Sequence, residues 1–308
     1  MIFKYTNLKK HPSVFRATTG LTSREFDDYA APLAIKLAEE GRKALERSDR
    51  QRAIGGGRNQ DLDGRDQFLL TVVWLRLYPT YEVLGSLVGI SDSSAYRVVK
   101  RCLPLLEEAG RKEIQRSRAH AARKRGYNLE GIFEQIPGLA VIVDAFEQEI
   151  ERPSNRQEAD TYYSGKKKRH TMKSQVTVDA YTGEILDVAP SESGRGQDKG
   201  CFNRSGTVER LPEDTAYMAD LGYPGLEKDL SLAAIPRKKP REKPRPAEDK
   251  EYNTMFASKR VVVEHTIGRI RIYQALTIRD RHHRWHHTAR VVAVSGIVNS
   301  TKRSRYVF

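Results

Sequence analysis

Cysteine is almost missing from this 308-residue sequence. The two present, Cys102 and Cys201, cannot build a disulfide framework and match no metal-ligand spacing, so a disulfide-stapled secreted domain and a zinc ribbon are both excluded. A reducing, cytoplasmic setting is the expectation. Long hydrophobic runs are missing too: the longest near-continuous one, residues 68–75, is far short of the ~20 residues of a membrane span. The opening MIFKYTNLKK has neither a long apolar stretch nor a small-residue cleavage site, so no secretory leader is expected. Negative charge is in deficit, with 40 Asp and Glu against 54 Lys and Arg and a net charge of +14. A soluble chain this basic points to a polyanionic partner, nucleic acid first, and says nothing about fold.

What is there suffices for a core. Apolar residues make up 38% of a chain long enough for roughly two domains at about 100–200 residues each. Residues 21–47 carry Phe26, Tyr29, Leu33, Leu37 and Ala44 at helical spacing behind a Thr22-Ser23 cap, with Pro32 able to kink the helix or start a second one. Residues 51–57, ending in three glycines, break the pattern, and 63–77 resume it as a largely buried helix. A short helix over 81–88, a Gly89-Ile90-Ser91 turn and a second helix from about Ser93 follow. Ser91 or Asp92 can cap that second helix, which Pro104 should end or kink near Leu103, with a continuation to Ala109 open. Its inner face is Ala95, Val98, Val99, Cys102 and Leu103, leaving Ser93, Ser94, Tyr96, Arg97, Lys100 and Arg101 to face outward. Two helices joined this way are either a plain helical hairpin or a helix-turn-helix whose second helix enters the major groove. The basic outer face favours DNA. Residues 111–125 carry seven Lys or Arg and one Glu, a solvated helix face or linker that marks a boundary and can track phosphates.

Beyond Pro137 the periodicity becomes that of strands. LAVIVDAF (139–146) is one strand; residues 173–178 and 184–188, joined by a turn at 180–183, form a hairpin. DTAYMAD (214–220) and LAAIP (232–236) are two more. RKKPREKPR (237–245), with six basic residues and two prolines, reads as a loop. A long helix over 247–276, with a break possible near Asn253, and a last helix over 287–302 complete the chain.

Both Asp144 and Asp220 end an apolar strand, a costly place for an acid unless it is paired or binds a cation. Ligand sites of open α/β sheets lie outside the carboxyl ends of strands, so the two acids can sit side by side if their strands are neighbours. A third acid, Glu264, shares one helical face with Arg260 and Arg271, with Val261 and Ile267 one turn away. The plainer reading of that face is a solvated ion pair. Three carboxylates without thiolate donors suit Mg²⁺ or Mn²⁺, and two such ions can serve an in-line phosphodiester displacement. The arginines would hold phosphate. Glu147, Asp179 and Asp198 are spare acids. The histidines within 282–287 suit either a zinc site or, in an exposed run, a helix start.

These segments together resemble the DDE transposases of bacterial insertion sequences, in the branch related to Harbinger elements. The resemblance spans nearly the whole chain. It rests on GGGR (55–58), the stretch LLTVVWLRLYPTYEVLGSLVGIS, VDAFEQEIERP (143–153), YYSGKKKRHTMK (162–173), ADLGYPG (219–225) and RVVVEHTIGRIR (260–271). It implies an all-helical DNA-binding region over 1–125, with the helix-turn-helix at about 81–109. It further implies a ribonuclease H-like α/β catalytic domain over 126–308, with Asp144, Asp220 and Glu264 as metal-binding triad. Arg260 and Arg271 match basic positions around the family's glutamate. Lys166, Lys167, Lys168 and Arg169 match a phosphate-contacting loop, against which stands an exposed hairpin tip of solvated lysines. Ala257 and the pair Ala145-Phe146 depart from the family pattern without touching a metal ligand. The implied partners are double-stranded DNA at transposon ends and target, and a second copy of the chain in a dimer or larger synaptic assembly. A DNA-binding regulator that keeps the scaffold without catalysis is the alternative.

Overall fold

The computed structural model describes residues 3–46, 62–123, 129, 131–133, 138–242 and 244–306. The glycine-rich break and the GGGR segment lie outside them. The chain divides into two compact units: 1–111 with 272–276 and 292–308, and 112–271 with 277–291. Among the described residues no helix is long and apolar enough to cross a membrane.

The first unit is helical. Helices α1 (Tyr5–Leu8) and α2 (Pro12–Thr19) precede α3 (Ser23–Leu45), α4 (Gly64–Leu77), α5 (Tyr81–Val88) and α6 (Asp92–Ala121), the last of which runs on into the second unit. Local chemistry sets the boundaries. Thr22 Oγ1 accepts from the Glu25 amide at 3.1 Å while Glu25 Oε2 accepts from the Thr22 amide at 2.8 Å, a reciprocal cap for α3. Asp63 caps α4 by accepting from the Asp66 amide at 2.8 Å. Tyr5, Phe15 and Phe26 pack ring on ring with centroids 5.6 to 6.2 Å apart. Of the alternatives open at the two prolines, neither a break nor a restart occurs: helix α3 continues through Pro32 as one element, and α6 passes Pro104 and runs beyond Ala109 to Ala121. Each proline removes one donor, but the carbonyls so released belong to Asp28 and Lys100, both exposed, where water can serve them.

The second unit is built on a mixed sheet. Its strands are β1 (Leu139–Glu149), β2 (Tyr163–Ser164), β3 (Arg169–Asp179), β4 (Ile185–Val188), β5 (Glu192–Ser193), β6 (Thr215–Ala219) and β7 (Ala233–Ala234), ordered β2-β3-β1-β6-β7 with β4 and β5 also on β3. β3 runs antiparallel to β1, whereas β6 is parallel to β1 and β7 to β6. Short helices α7 (Arg156–Tyr162), α8 (Asp198–Arg204), α9 (Thr207–Arg210) and α10 (Leu226–Asp229) fill the connections. Helix α11 (Ala247–Arg271) packs on β1, and α12 (His287–Tyr306) closes the chain. Helix α11 is unbroken at Asn253 and stops at Arg271, short of the expected 276. The Asn253 side chain bonds both backbone groups of Arg237 from outside the helix, so it caps the loop rather than breaking the helix. Asp187 is buried as a hub, accepting from Arg118 at 3.0 Å, Arg210 at 2.7 and 2.8 Å and Thr207 at 2.7 Å.

Within the first unit, α6 and α12 touch at Gly110 and Gly296. A methyl group on Gly296 would lie 2.3 Å from Gly110 Cα, and one on Gly110 would lie 2.3 Å from the Val292 carbonyl oxygen. Backbone cannot yield as a side chain can. Gly296→Ala should therefore lower unfolding stability by about 1–3 kcal/mol, the usual cost of overpacking, measured by denaturant titration. Unchanged stability would show that the helices separate freely.

Candidate active site

Strand pairing decides where the acids stand. β1 and β6 run in parallel register from Leu139 opposite Thr215 to Val143 opposite Ala219, so the next residues of the two chains are Asp144 and Asp220. Asp144 does not end its strand as the sequence suggests. β1 continues to Glu149 because β3 pairs with it as far as Glu149 opposite Thr171, while β6 stops at Ala219. The acid is thus at the end of the parallel pairing and inside the antiparallel one. Asp144 Oδ1 accepts from the Ala145 amide at 2.8 Å and Oδ2 from Arg260 Nη2 at 3.1 Å. Burial pushes its pKa above the ordinary carboxylate value; Arg260 and the Ala145 amide oppose that shift, and the neighbouring Asp220 charge adds to it.

Asp144 opens onto a cleft of about 320 Å³ lined also by Phe146, Glu147, Lys166, Lys167, Lys173, Asp198, Glu264 and Arg271. Glu264 and Arg271 thus reach one cleft from α11. Arg260 turns instead to Asp144, and its Nε is buried without a hydrogen-bond partner. Val261 is 40% exposed and Glu264 itself is exposed, whereas Ile267 is buried and lines the cleft, so this glutamate has apolar cover on one side only. Lysines 166 and 167 line the cleft from the hairpin tip before β3, where Lys168 takes a positive φ of 55°. Arg169 points elsewhere, pairing with Glu149 at 3.1 Å.

Asp198 is more prominent than the sequence indicated. A methyl on Gly222 would lie 2.6 Å from Asp198 Oδ2 and 2.8 Å from Asp220 Oδ1, so two carboxylates crowd one cradle that only glycine leaves open. Lys173, nearly buried, sits between acids: Nζ is 2.6 Å from Asp198 and 3.9 Å from Glu147. Among the described residues no three acids or histidines are already gathered closely enough to hold one metal ion. Asp179, the third spare acid, takes no part, since its Oδ1 accepts from the amides of Tyr181 and Thr182 and shapes the turn after β3.

In the first unit α5 ends at Gly89 with φ 71°, and Ser91 Oγ accepts from the Ser94 amide at 3.2 Å to start α6. Ser93, Tyr96, Arg97, Lys100 and Arg101 are exposed, and Ser94 is half-buried by its bonds to Ser91. Lys100 lies over the Tyr96 ring at 5.8 Å, and Arg101 donates to Gln67 Oε1 at 2.5 Å.

The family model "DDE superfamily endonuclease" matches residues 143–299, a span that takes in Asp144, Asp220 and Glu264, and that for "helix-turn-helix of DDE superfamily endonuclease" matches 60–112. A protein of Microchaete diplosiphon named as a transposase for insertion sequence element IS702 is 30% identical over 255 residues, covering 82% of this chain and 86% of its own. The chain belongs to the DDE superfamily endonucleases, among the transposases of insertion sequences. A second relative, named for insertion sequence element IS112 of Streptomyces albus G, is 24% identical over 86% of each chain. No solved structure matches.

In this DDE endonuclease the histidine run leads into α12, which starts at the fully buried His287. Its Nε2 meets Gln148 Oε1 at 2.8 Å and its Nδ1 meets Ser191 Oγ at 2.9 Å. Gln148 also donates to the Ile278 carbonyl, which fixes its Oε1 as acceptor and places the imidazole proton on Nε2. Burial, reinforced by Arg290 and opposed by Asp280, pushes the His287 pKa down to about 3. The unfolded chain then takes up a proton first as pH falls, so stability is full above about pH 6.5 and is lost towards pH 3. From pH 7.5 to 5 the loss attributable to this group should be about 2 kcal/mol at 1.4 kcal/mol per pH unit. Thermal unfolding of His287→Gln should show a clearly shallower acid limb; an identical limb would remove His287 as its source.

Proposed function

We propose that the chain cuts phosphodiester bonds at transposon ends and joins the freed 3′ ends to target DNA, using the cleft around Asp144 in a ribonuclease H-like domain over 126–308. The placement of Asp144 and Asp220 at the same end of two paired parallel strands, with Glu264, Arg271 and two lysines on the same cleft, carries the reading. The mixed sheet with α11 laid on β1 supports the fold assignment. Residues 1–125, with the helix-turn-helix, would recognise the terminal repeats, and two copies would bring two ends together.

The donor chemistry fits Mg²⁺ or Mn²⁺: the acids around the cleft offer hard oxygens without thiolate, and the Gly222 cradle leaves Asp198 and Asp220 oxygens facing one space. Asp144, Asp220 and Glu264 would hold the ion. Bound there, it makes water or a 3′-hydroxyl a better nucleophile and stabilises the leaving oxygen. The chain's own cations do the positioning. Arg260 can pass its guanidinium from Asp144 to a phosphate oxygen, and Arg271, Lys166 and Lys167 supply further phosphate contacts. Water attacks first at the end of the element; the released 3′-hydroxyl attacks target DNA second. Asp144→Asn, Asp220→Asn and Glu264→Gln should each lower Mg²⁺-dependent nicking of end-containing duplex by about a hundredfold or more while leaving duplex binding intact. Retained nicking removes that residue from the set.

The ion pairs of Asp144 with Arg260 and of Asp198 with Lys173 favour one second reading, a DNA-binding regulator whose acids are internally neutralised. It predicts duplex binding without nicking at any Mg²⁺ or Mn²⁺ concentration. On either reading, Arg97→Ala and Lys100→Ala should weaken duplex binding, and where the lost contact is to phosphate the salt slope should fall by about one unit each. Unaltered affinity and slope would place DNA on another face.

A further inference from the structure

The second unit has another cleft that the proposed cleavage does not use. It is about 530 Å³, larger than the carboxylate cleft, with Ile150 and Met172 among its walls and Tyr162, His283, Arg284 and Trp285 around them. Its floor is fixed. Asp280 and Arg290 form a fully buried ion pair there, and Asp280 Oδ1 also accepts from the His282 amide at 3.0 Å.

The wall is made of flat rings carried outward. Trp285 is 72% exposed, whereas the second tryptophan of the chain, Trp74, is 2% exposed in the first unit. The His286 ring packs against the indole at 3.2 Å between centroids, yet most of the indole surface stays open to a stacking partner. His283 lies nearly parallel to it, at 27° with centroids 6.4 Å apart, and the Arg284 guanidinium covers Tyr162 at 4.6 Å.

A route connects this cleft to the carboxylates. Six residue steps along β1 and its extension lead from Asp144 to Ile150, about 20 Å at 3.3 Å per step. At the Ile150 end of that stretch stand Arg169 and Arg279, each exposed by half or more, both against Glu149 at 3.1 and 3.8 Å, with Arg279 also 2.6 Å from Glu151. Exposed pairs of this kind are weak and exchange readily for phosphate. Stacking rings with exposed cations beside them at one end and the cleavage cleft at the other match a single strand of nucleic acid. A duplex keeps its bases stacked inside and offers none to an indole.

We infer that the cleft at Trp285 takes an unpaired DNA base, stacked on the indole, with the phosphates of the same strand running over Arg279 and Arg169 towards Asp144. The inference rests on the DNA reading above. It gives the endonuclease a second, sequence-tolerant hold on the strand it processes, because every base has a π face.

Trp285 is the exposed tryptophan, so the acrylamide-accessible emission of the intact chain reports on it. The protein is titrated with a single-stranded 12-mer, the blunt duplex of the same sequence and a mononucleotide, in the wild type, Trp285→Ala and Trp285→Phe. The expected result is quenching and acrylamide protection by the single strand, much less by the duplex or the mononucleotide. Trp285→Ala should bind the single strand roughly five- to a hundredfold more weakly, with Trp285→Phe between and duplex affinity unchanged in both. Trp285 left open to acrylamide at saturating single strand, or equal single-strand affinity of Trp285→Ala, overturns the inference while duplex binding still stands. Equal protection by the mononucleotide makes free nucleotide the ligand and overturns it too. No binding of either DNA form sinks this inference and the DNA reading together.

Discussion

The in-register pairing of β1 with β6 is the constraint on which the cleft depends. No turn joins these strands, so only the burial of both, from Leu139 to Val143 and from Thr215 to Ala219, fixes which residue meets which. A slip by one residue would send Asp144 to the opposite face of the sheet. The same strand sets the other acids through its antiparallel neighbour. Glu147 stands opposite Lys173, and Lys173 reaches on to Asp198. β1 thus carries Asp144 and Glu147 to the cleft, and β3 adds Lys173 with Asp198 paired to it.

Charge is balanced at the cleft but not over the chain. The chain carries an excess of 14 positive charges, while the cleft is lined by four acids and four cations. Arg260 and Lys173 tighten that balance, as each keeps a partly buried carboxylate from standing alone. Both cations are therefore competitors of any divalent ion for the same oxygens. Incoming phosphate is the natural partner to draw a guanidinium or an ammonium away from them.

Local signals carried much of the fold. The Thr22 and Asp63 caps, the turn at Gly89, the apolar strands at 139 and 215 and the start of α12 at His287 all follow from short-range patterns that the structure keeps. Neither proline ends its helix because a helix interior tolerates proline wherever the orphaned carbonyl is wet, and exposure cannot be read from neighbours in sequence. Short helices such as α8 and α9 lay within segments without strong periodicity. Asp198 was legible only as an acid: its nearness to Asp220 comes from Gly222, and nothing in the chain between them announces it. The buried Asp187 hub, which joins residues 118, 187, 207 and 210, is likewise a product of tertiary packing alone.

The division of α12 between the units has a consequence for biosynthesis. Residues 292–306 complete the helical unit that starts at the amino terminus, yet they are translated only after the entire sheet unit has been made. Helix α6 therefore cannot complete its packing against Gly296 on a half-finished polypeptide. An unfinished chain would hold an incomplete helical half on the ribosome, and the two halves would reach their final form together.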